Sequence, residues 1–172
     1  MVLCTINKTQ HNKNMSTHLP SSLPSVLIID GNAARASIIE AGLRQAGHKQ
    51  VTIIDDMKGI IARIVELEPD VIVIDIENPN RDMLESAFQL SRVVKRPIAM
   101  FVDHSDRESI QSAIDAGVSA YVVDGLRQER VTAILDMAIS RFNAFARLEK
   151  ELEEARGALE GRKIIDQAKR II

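Results

Sequence analysis

Three short apolar runs each end in an aspartate: SVLIID at Asp30, VTIID at Asp55 and DVIVID at Asp75. A further acid, Asp124, directly follows the run SAYVV. Any one of them alone reads most simply as a helix N-cap or a solvated strand end, because Asp is a preferred capping residue. Gathered on one rim they would repel one another, and a hard cation such as Mg2+ held by carboxylate oxygens is the usual resolution. No nucleophile stands beside a base, and His11, His18, His48 and His104 are scattered along the chain. Ordinary enzyme catalysis is therefore not expected.

The elements that would bring these acids together follow from the pattern around them. Runs 25–30, 51–55, 70–75, 97–102 and 119–123 are short, nearly continuous and rich in Val and Ile, as strands covered on both faces are. Between them apolar residues recur at helical spacing, as in Ile38, Ile39, Leu43 and Ala46, and in Ile60, Ile61, Ile64 and Leu67. Repeated alternation of strand and helix calls for right-handed crossovers, which place helices on both faces of a parallel sheet. The expected fold is α/β with strand order 2-1-3-4-5, the flavodoxin-like arrangement. Ligands of such sheets bind outside the carboxyl ends of the strands, where the acids would stand.

At 172 residues and 45% hydrophobic content the chain can bury one core with a thin appendage. A formal net charge of -2 excludes a global attraction to nucleic acid or anionic lipid, so any such binding must come from a local cluster. The single cysteine, Cys4, supports neither an internal disulfide nor a thiolate metal site and fits a reducing compartment. Residues 1–24 are polar with little to bury and read as a disordered leader, with Met1 or Met15 as the start. They lack the apolar core of a signal peptide, and no run approaches the roughly 20 apolar residues of a membrane span, so a cytoplasmic protein without membrane contact is expected.

The stretches VLIIDGN, PDVIVIDIENPN, RPIAMFVDHSD and AGVSAYVVDGL resemble, in order and spacing, the strand ends of response-regulator receiver domains, over residues 25–128. The resemblance implies that Asp75 is the phosphoacceptor position and that Asp30 and Asp75 are the candidate metal ligands, with Mg2+ an optional ion and no cofactor required. It also exposes departures at the switch positions. Gly31 stands where the family has a second acid, Val102 where it has Ser or Thr, and Asp124 where a lysine pairs the phosphate. The last change reverses a charge, at a loss of about 1 kcal/mol or more per close pair. Control through a partner protein is therefore expected, with Asp75 silent; a phosphorylatable receiver using Asp75 and Mg2+ is the alternative. Asn32 or Asp55 would have to make up for the missing metal ligand.

From about Leu126 the pattern is helical, and Phe145, Leu148, Leu152, Ala155 and Leu159 follow steps of 3, 4, 3 and 4. That is a coiled-coil seam. Glu149, Lys150, Glu151, Glu153, Glu154 and Arg156 fill the outer positions, which favours a projecting helix over 129–160 that pairs with a second copy, making a homodimer. The other reading is an amphipathic helix lying on its own receiver. Past the seam, Gly157 and Gly161 are expected to loosen the helix, and residues 161–172 to begin a new unit. The stretch ALEGRKIIDQAKRII is similar to the opening of the ANTAR domain, the RNA-binding module of transcription antiterminators. Ala158, Leu159, Arg162, Ile165, Ala168 and Lys169 take the matching positions, and Arg170 replaces the usual glycine. The similarity implies a truncated ANTAR domain in which Arg162, Lys163, Lys169 and Arg170 contact RNA phosphates, weakly for so few charges. The combination resembles the AmiR/NasT type of antitermination regulator, closest to its nitrate-assimilation branch. It implies a leader-RNA hairpin and a ligand-sensing regulatory protein as partners. A free-standing interaction domain without a nucleic-acid role is the plainer reading.

Overall fold

The apolar runs become the strands of one parallel sheet. The computed structural model describes residues 23–123 and 127–169, with side chains as far as residue 160. In chain order the elements are β1 (Val26–Asp30), α1 (Ala33–Gln45), β2 (Val51–Ile54), α2 (Ile60–Leu67), β3 (Val71–Ile76), α3 (Arg81–Val93), β4 (Ile98–Val102), α4 (Arg107–Asp115), β5 (Ala120–Val123) and α5 (Gln128–Lys169). The strand order is β2-β1-β3-β4-β5, as expected.

Alternate residues of each strand serve opposite faces. Leu27, Ile29, Ile72, Ile74 and Met100 pack under α2, α3 and α4, with Ile60, Ile64, Leu84 and Phe88 above them. Val26, Ile28, Val73 and Phe101 pack under α1 and α5, against Ile39, Leu43, Val131 and Leu135. The three central strands are buried along their whole length, while the edge strands β2 and β5 are partly open. Burial on both faces is why the central runs are continuous rather than alternating in polarity.

Two strand ends differ by one residue from the apolar runs, with consequences for the acids. β2 stops at Ile54 and leaves Asp55 in the turn, whereas β3 continues to Ile76 and holds Asp75 within the strand. Among the described residues, Asp30, Asp55 and Asp75 do not cap helices α1 to α4. Asn32, Asn80 and Asp106 do so instead, accepting the backbone N–H of Arg35, Met83 and Ser109 at 3.2, 2.9 and 2.7 Å.

Helix α5 is 42 residues long, which corresponds to about 63 Å. Its first part packs Val131, Leu135 and Ala138 onto the sheet, and from Phe145 to Glu160 every side chain is exposed. The backbone runs on as helix through Gly157 and Gly161. The glycines do not break the helix, since each costs about 1 kcal/mol against alanine and does not by itself end one. Among the described residues no helix is long and apolar enough to cross a membrane. The proposed leader as far as residue 22, Asp124 and Arg170 lie outside the described residues, as do the side chains of Arg162, Lys163 and Lys169.

Candidate functional site

Asp30 and Asp75 are partners in the register of β1 and β3, so the sheet itself sets the two carboxylates side by side. They are 2% and 4% exposed. Glu77 follows β3 and Asp103 follows β4, each bringing a more exposed acid to the same rim. Two of the acids expected to gather there thus do so. Asp55 is exposed and shares with Asp75 and Gly31 the lining of a cavity of about 420 Å³, but it is not among the acids that Arg35 reaches.

The group that answers these charges is Arg35, in the first turn of α1. Its Nε lies 3.1 Å from Asp75 Oδ2 and 3.5 Å from Asp30 Oδ2. Its Nη1 lies 3.9 Å from Glu77 Oε2 and 4.0 Å from Asp103 Oδ1. Asn32 pins that turn, because its side chain accepts the Arg35 N–H while its own N–H donates to Asp30 Oδ1 at 2.8 Å. Asn32 is thereby the N-cap of α1.

The cluster is electrostatically tense. Both oxygens of Asp75 and the Nη2 of Arg35 are buried without a hydrogen-bond partner. The close approach of Arg35 to Asp75 is thus Coulombic, and its hydrogen bond goes to Asp30 at a long 3.5 Å. Burial pushes the Asp75 carboxyl up to about 7; Arg35 pulls it down, and Asp30, Asp103 and Glu77 push it further up.

An Mg2+ ion asks for near-octahedral oxygen ligands at about 2.0–2.1 Å. Two buried carboxylates converge here, the more exposed Glu77 and Asp103 reach only the outer side of the guanidinium at 3.9 and 4.0 Å, Gly31 supplies no oxygen ligand, and Arg35 Nε already stands between the buried two. Among the described residues no group of three His, Cys, Asp or Glu side chains is arranged to hold a metal ion. The pocket as folded does not fit a divalent cation. A side chain at position 31 would meet only the Asp55 carbonyl oxygen, at an ordinary 3.7 Å, so sterics do not dictate the glycine.

Val102 is fully buried in the core below the pocket and offers no hydroxyl. A hydroxyl pair occurs nearby instead, between Ser105 Oγ and Tyr121 Oη at 2.9 Å. On α5, Phe145, Leu148, Leu152 and Leu159 are each more than half exposed, and Ala155 is exposed with them. The Arg141 guanidinium lies over the Phe145 ring, 5.7 Å from its centroid.

Arg35, Glu77, Asp103 and Tyr121 were not among the residues expected from sequence. For Arg35 a signal existed. A cation in the first turn of a helix opposes the helix dipole, and this one stands five residues after Asp30, with no acid in that turn to offset it.

Comparison with known proteins gives the same answer as the geometry. Residues 26–136 match the response regulator receiver domain family. The chain is 27% identical to the transcriptional regulatory protein PdtaR of Mycobacterium tuberculosis over 147 residues, covering 86% of this chain and 72% of that one. It is 27% identical to the transcriptional regulatory protein AfsQ1 of Streptomyces coelicolor over 117 residues, 66% of this chain and 52% of that one. Among solved structures, a CheY-like receiver domain protein from Methanospirillum hungatei superposes with a TM-score of 0.61 at 18% identity, covering 72% of this chain and 98% of that one. With two buried acids in register at the carboxyl edge of a 2-1-3-4-5 sheet and a family match across that whole sheet, the chain belongs to the response-regulator receiver family.

Proposed function

We propose that the chain is a transcription antitermination regulator of the AmiR/NasT type, governed by a partner protein rather than by phosphorylation. The observation that carries this is α5. It leaves the receiver as one unbroken helix, and its last turns, as far as Lys169, carry the ALEGRKIIDQAK part of the stretch that is similar to the opening of an ANTAR domain. The relatives named as transcriptional regulatory proteins agree with the coarser part of the reading. By the resemblance, the RNA is a leader hairpin of a nitrate- or nitrite-assimilation transcript, and a ligand-sensing protein withholds the regulator until its ligand arrives. Sequestration needs only a surface that the partner occludes and a state of the regulator that the partner prefers. It asks nothing of the hydroxyl and lysine that Val102 and Asp124 replace.

A gel shift against such a hairpin tests the RNA half. The 172-residue chain is expected to bind weakly and to lose binding as salt rises, because about four basic residues give a shallow salt slope. A version extended at its C-terminus through a complete ANTAR domain is expected to bind tightly. Failure of the extended version to bind in low salt, free of any partner, would end the antiterminator reading.

The second reading, a phosphorylatable receiver, is favoured by one feature: Asp75 has two oxygens without hydrogen-bond donors at the carboxyl edge of β3. Acetyl phosphate with Mg2+ separates the two. The chain is expected to stay largely unmodified by intact mass, since Asp124 replaces the phosphate-pairing lysine and Arg35 crowds the carboxylate. A stoichiometric phosphoryl adduct that disappears in Asp75→Asn would establish the second reading instead.

A further inference from the structure

We propose that Arg35 is a resident cation that takes the place of a divalent metal in this receiver, so that its acid pocket is complete without Mg2+. The proposal deepens the reading of the receiver as phosphate-independent. Its test reads cation binding, which can fail while RNA binding stands.

One guanidinium lies within 4.0 Å of four carboxylates, those of Asp30, Asp75, Glu77 and Asp103. It is closest to Asp75 and Asp30, the two that the sheet holds adjacent and buried. A metal bridging that pair would have to approach the same two oxygens to about 2 Å. Arg35 Nε already stands 3.1 and 3.5 Å from them. Two cations cannot share that space, so a metal can enter only if Arg35 leaves.

Several features hold Arg35 in place. The Asn32 cap fixes the first turn of α1 above the acids, and the side chain is only 22% exposed. A cation at a helix N-terminus is disfavoured by the helix dipole, and the Nη2 of this one is buried without a partner. The attraction of the carboxylates offsets both penalties. An ordinary surface ion pair would explain neither the burial nor the convergence of four acids on one group.

A divalent ion and Arg35 therefore exclude each other, which gives a readout that a merely structural salt bridge lacks. Mn2+ binding to the intact chain is measured from the free-ion electron paramagnetic resonance signal, with thermal unfolding in millimolar Mg2+ at constant ionic strength beside it. The wild type is expected to show no saturable Mn2+ binding and no Mg2+-dependent shift in Tm. Arg35→Gln is expected to bind Mn2+ at least about tenfold more tightly than the wild type, because a full positive charge has left the site, and to gain a Tm that rises with Mg2+. Adding Asp75→Asn to Arg35→Gln should abolish both gains, and Arg35→Lys should keep the wild-type indifference.

Equal Mn2+ affinity in wild type and Arg35→Gln overturns the proposal. Should Arg35→Gln fail to fold, wild type and Asp75→Asn decide the matter. Saturable Mn2+ binding by the wild type that is lost in Asp75→Asn refutes a resident cation, and its absence from both supports one.

Discussion

Asp75→Asn is expected to stabilise the folded chain at pH 8 by roughly 2–4 kcal/mol and to flatten the fall in its stability between about pH 4 and 7. The wild-type carboxyl keeps its proton up to about pH 7 in the folded state, mainly because burial disfavours the charged form. The unfolded chain gives that proton up near the ordinary carboxylate value of about 4. Between those two values the folded state binds more protons, so each rise in pH favours unfolding. Above about 7 the penalty is constant, and below about 4 it is absent. The span from the ordinary value of about 4 to about 7 corresponds to a ceiling of about 4 kcal/mol. Arg35 loses its nearest anion in the variant, which places the expected gain toward the lower end. Asparagine keeps the shape and removes the charge. Urea unfolding of both proteins at pH 5 and pH 8 isolates the effect from the other carboxylates, which are common to both. The gain should be larger at pH 8 than at pH 5 by at least about 1 kcal/mol. Equal gains at the two pH values, or a loss at pH 8, would mean that the buried carboxyl carries no such strain.

Much of the scaffold around that carboxyl is legible in the sequence, and for a physical reason. Strands buried on both faces must be apolar at every position, so VLIID and VIVIDI could hardly be read as anything else, and their terminal acids stood out against them. The edge strand β2, with Thr52 exposed, still read as a strand because its two ends, Val51 and Ile54, are buried. Helix faces were less legible. Ile38 and Ile61 fit the helical spacing yet are more than half and half exposed respectively, because a 3.6-residue period marks a stripe without fixing its width.

The site was only half legible. Asp30 and Asp75 announced themselves by position and an ion was the expected remedy for their repulsion, whereas the Arg35 guanidinium that the structure sets against both had not been singled out. A lone arginine among 22 basic residues carries no mark of its burial. What identifies it is three-dimensional: the turn capped by Asn32 lies directly over the ends of β1 and β3. Asn32 illustrates the same limit, since the oxygen that could bind a metal is the oxygen that caps the helix.

Leu152→Glu is expected to turn a dimer into monomers, and the exposed length of α5 is the reason. From Phe145 to Glu160 the helix has no buried face, although Phe145, Leu148, Leu152 and Leu159 line up along one stripe and are 56, 61, 53 and 58% exposed. A helix with an apolar stripe and nothing against it gains little from propensity alone, whereas a second copy would cover the whole stripe. Each leucine fully buried in such a seam contributes about 1.5–3 kcal/mol. The flanking charges favour a parallel pair in register. With Phe145 and Leu152 as equivalent core positions, Glu151 and Arg156 occupy the two flanking positions that face across a parallel seam, so Glu151 of each copy meets Arg156 of the other. Glutamate at 152 removes the central apolar layer and sets two like charges opposite each other, at a further cost of about 1 kcal/mol or more. The sum weakens pairing by two or more powers of ten, at 1.4 kcal/mol for each. Light scattering at tens of micromolar is expected to give a dimer for the wild type and a monomer for Leu152→Glu. Exchanging the flanking charges together, in Glu151→Arg with Arg156→Glu, should leave the dimer intact, while either change alone weakens it. A monomeric wild type would remove the seam as an interface, and a dimeric Leu152→Glu would place the interface elsewhere on the receiver.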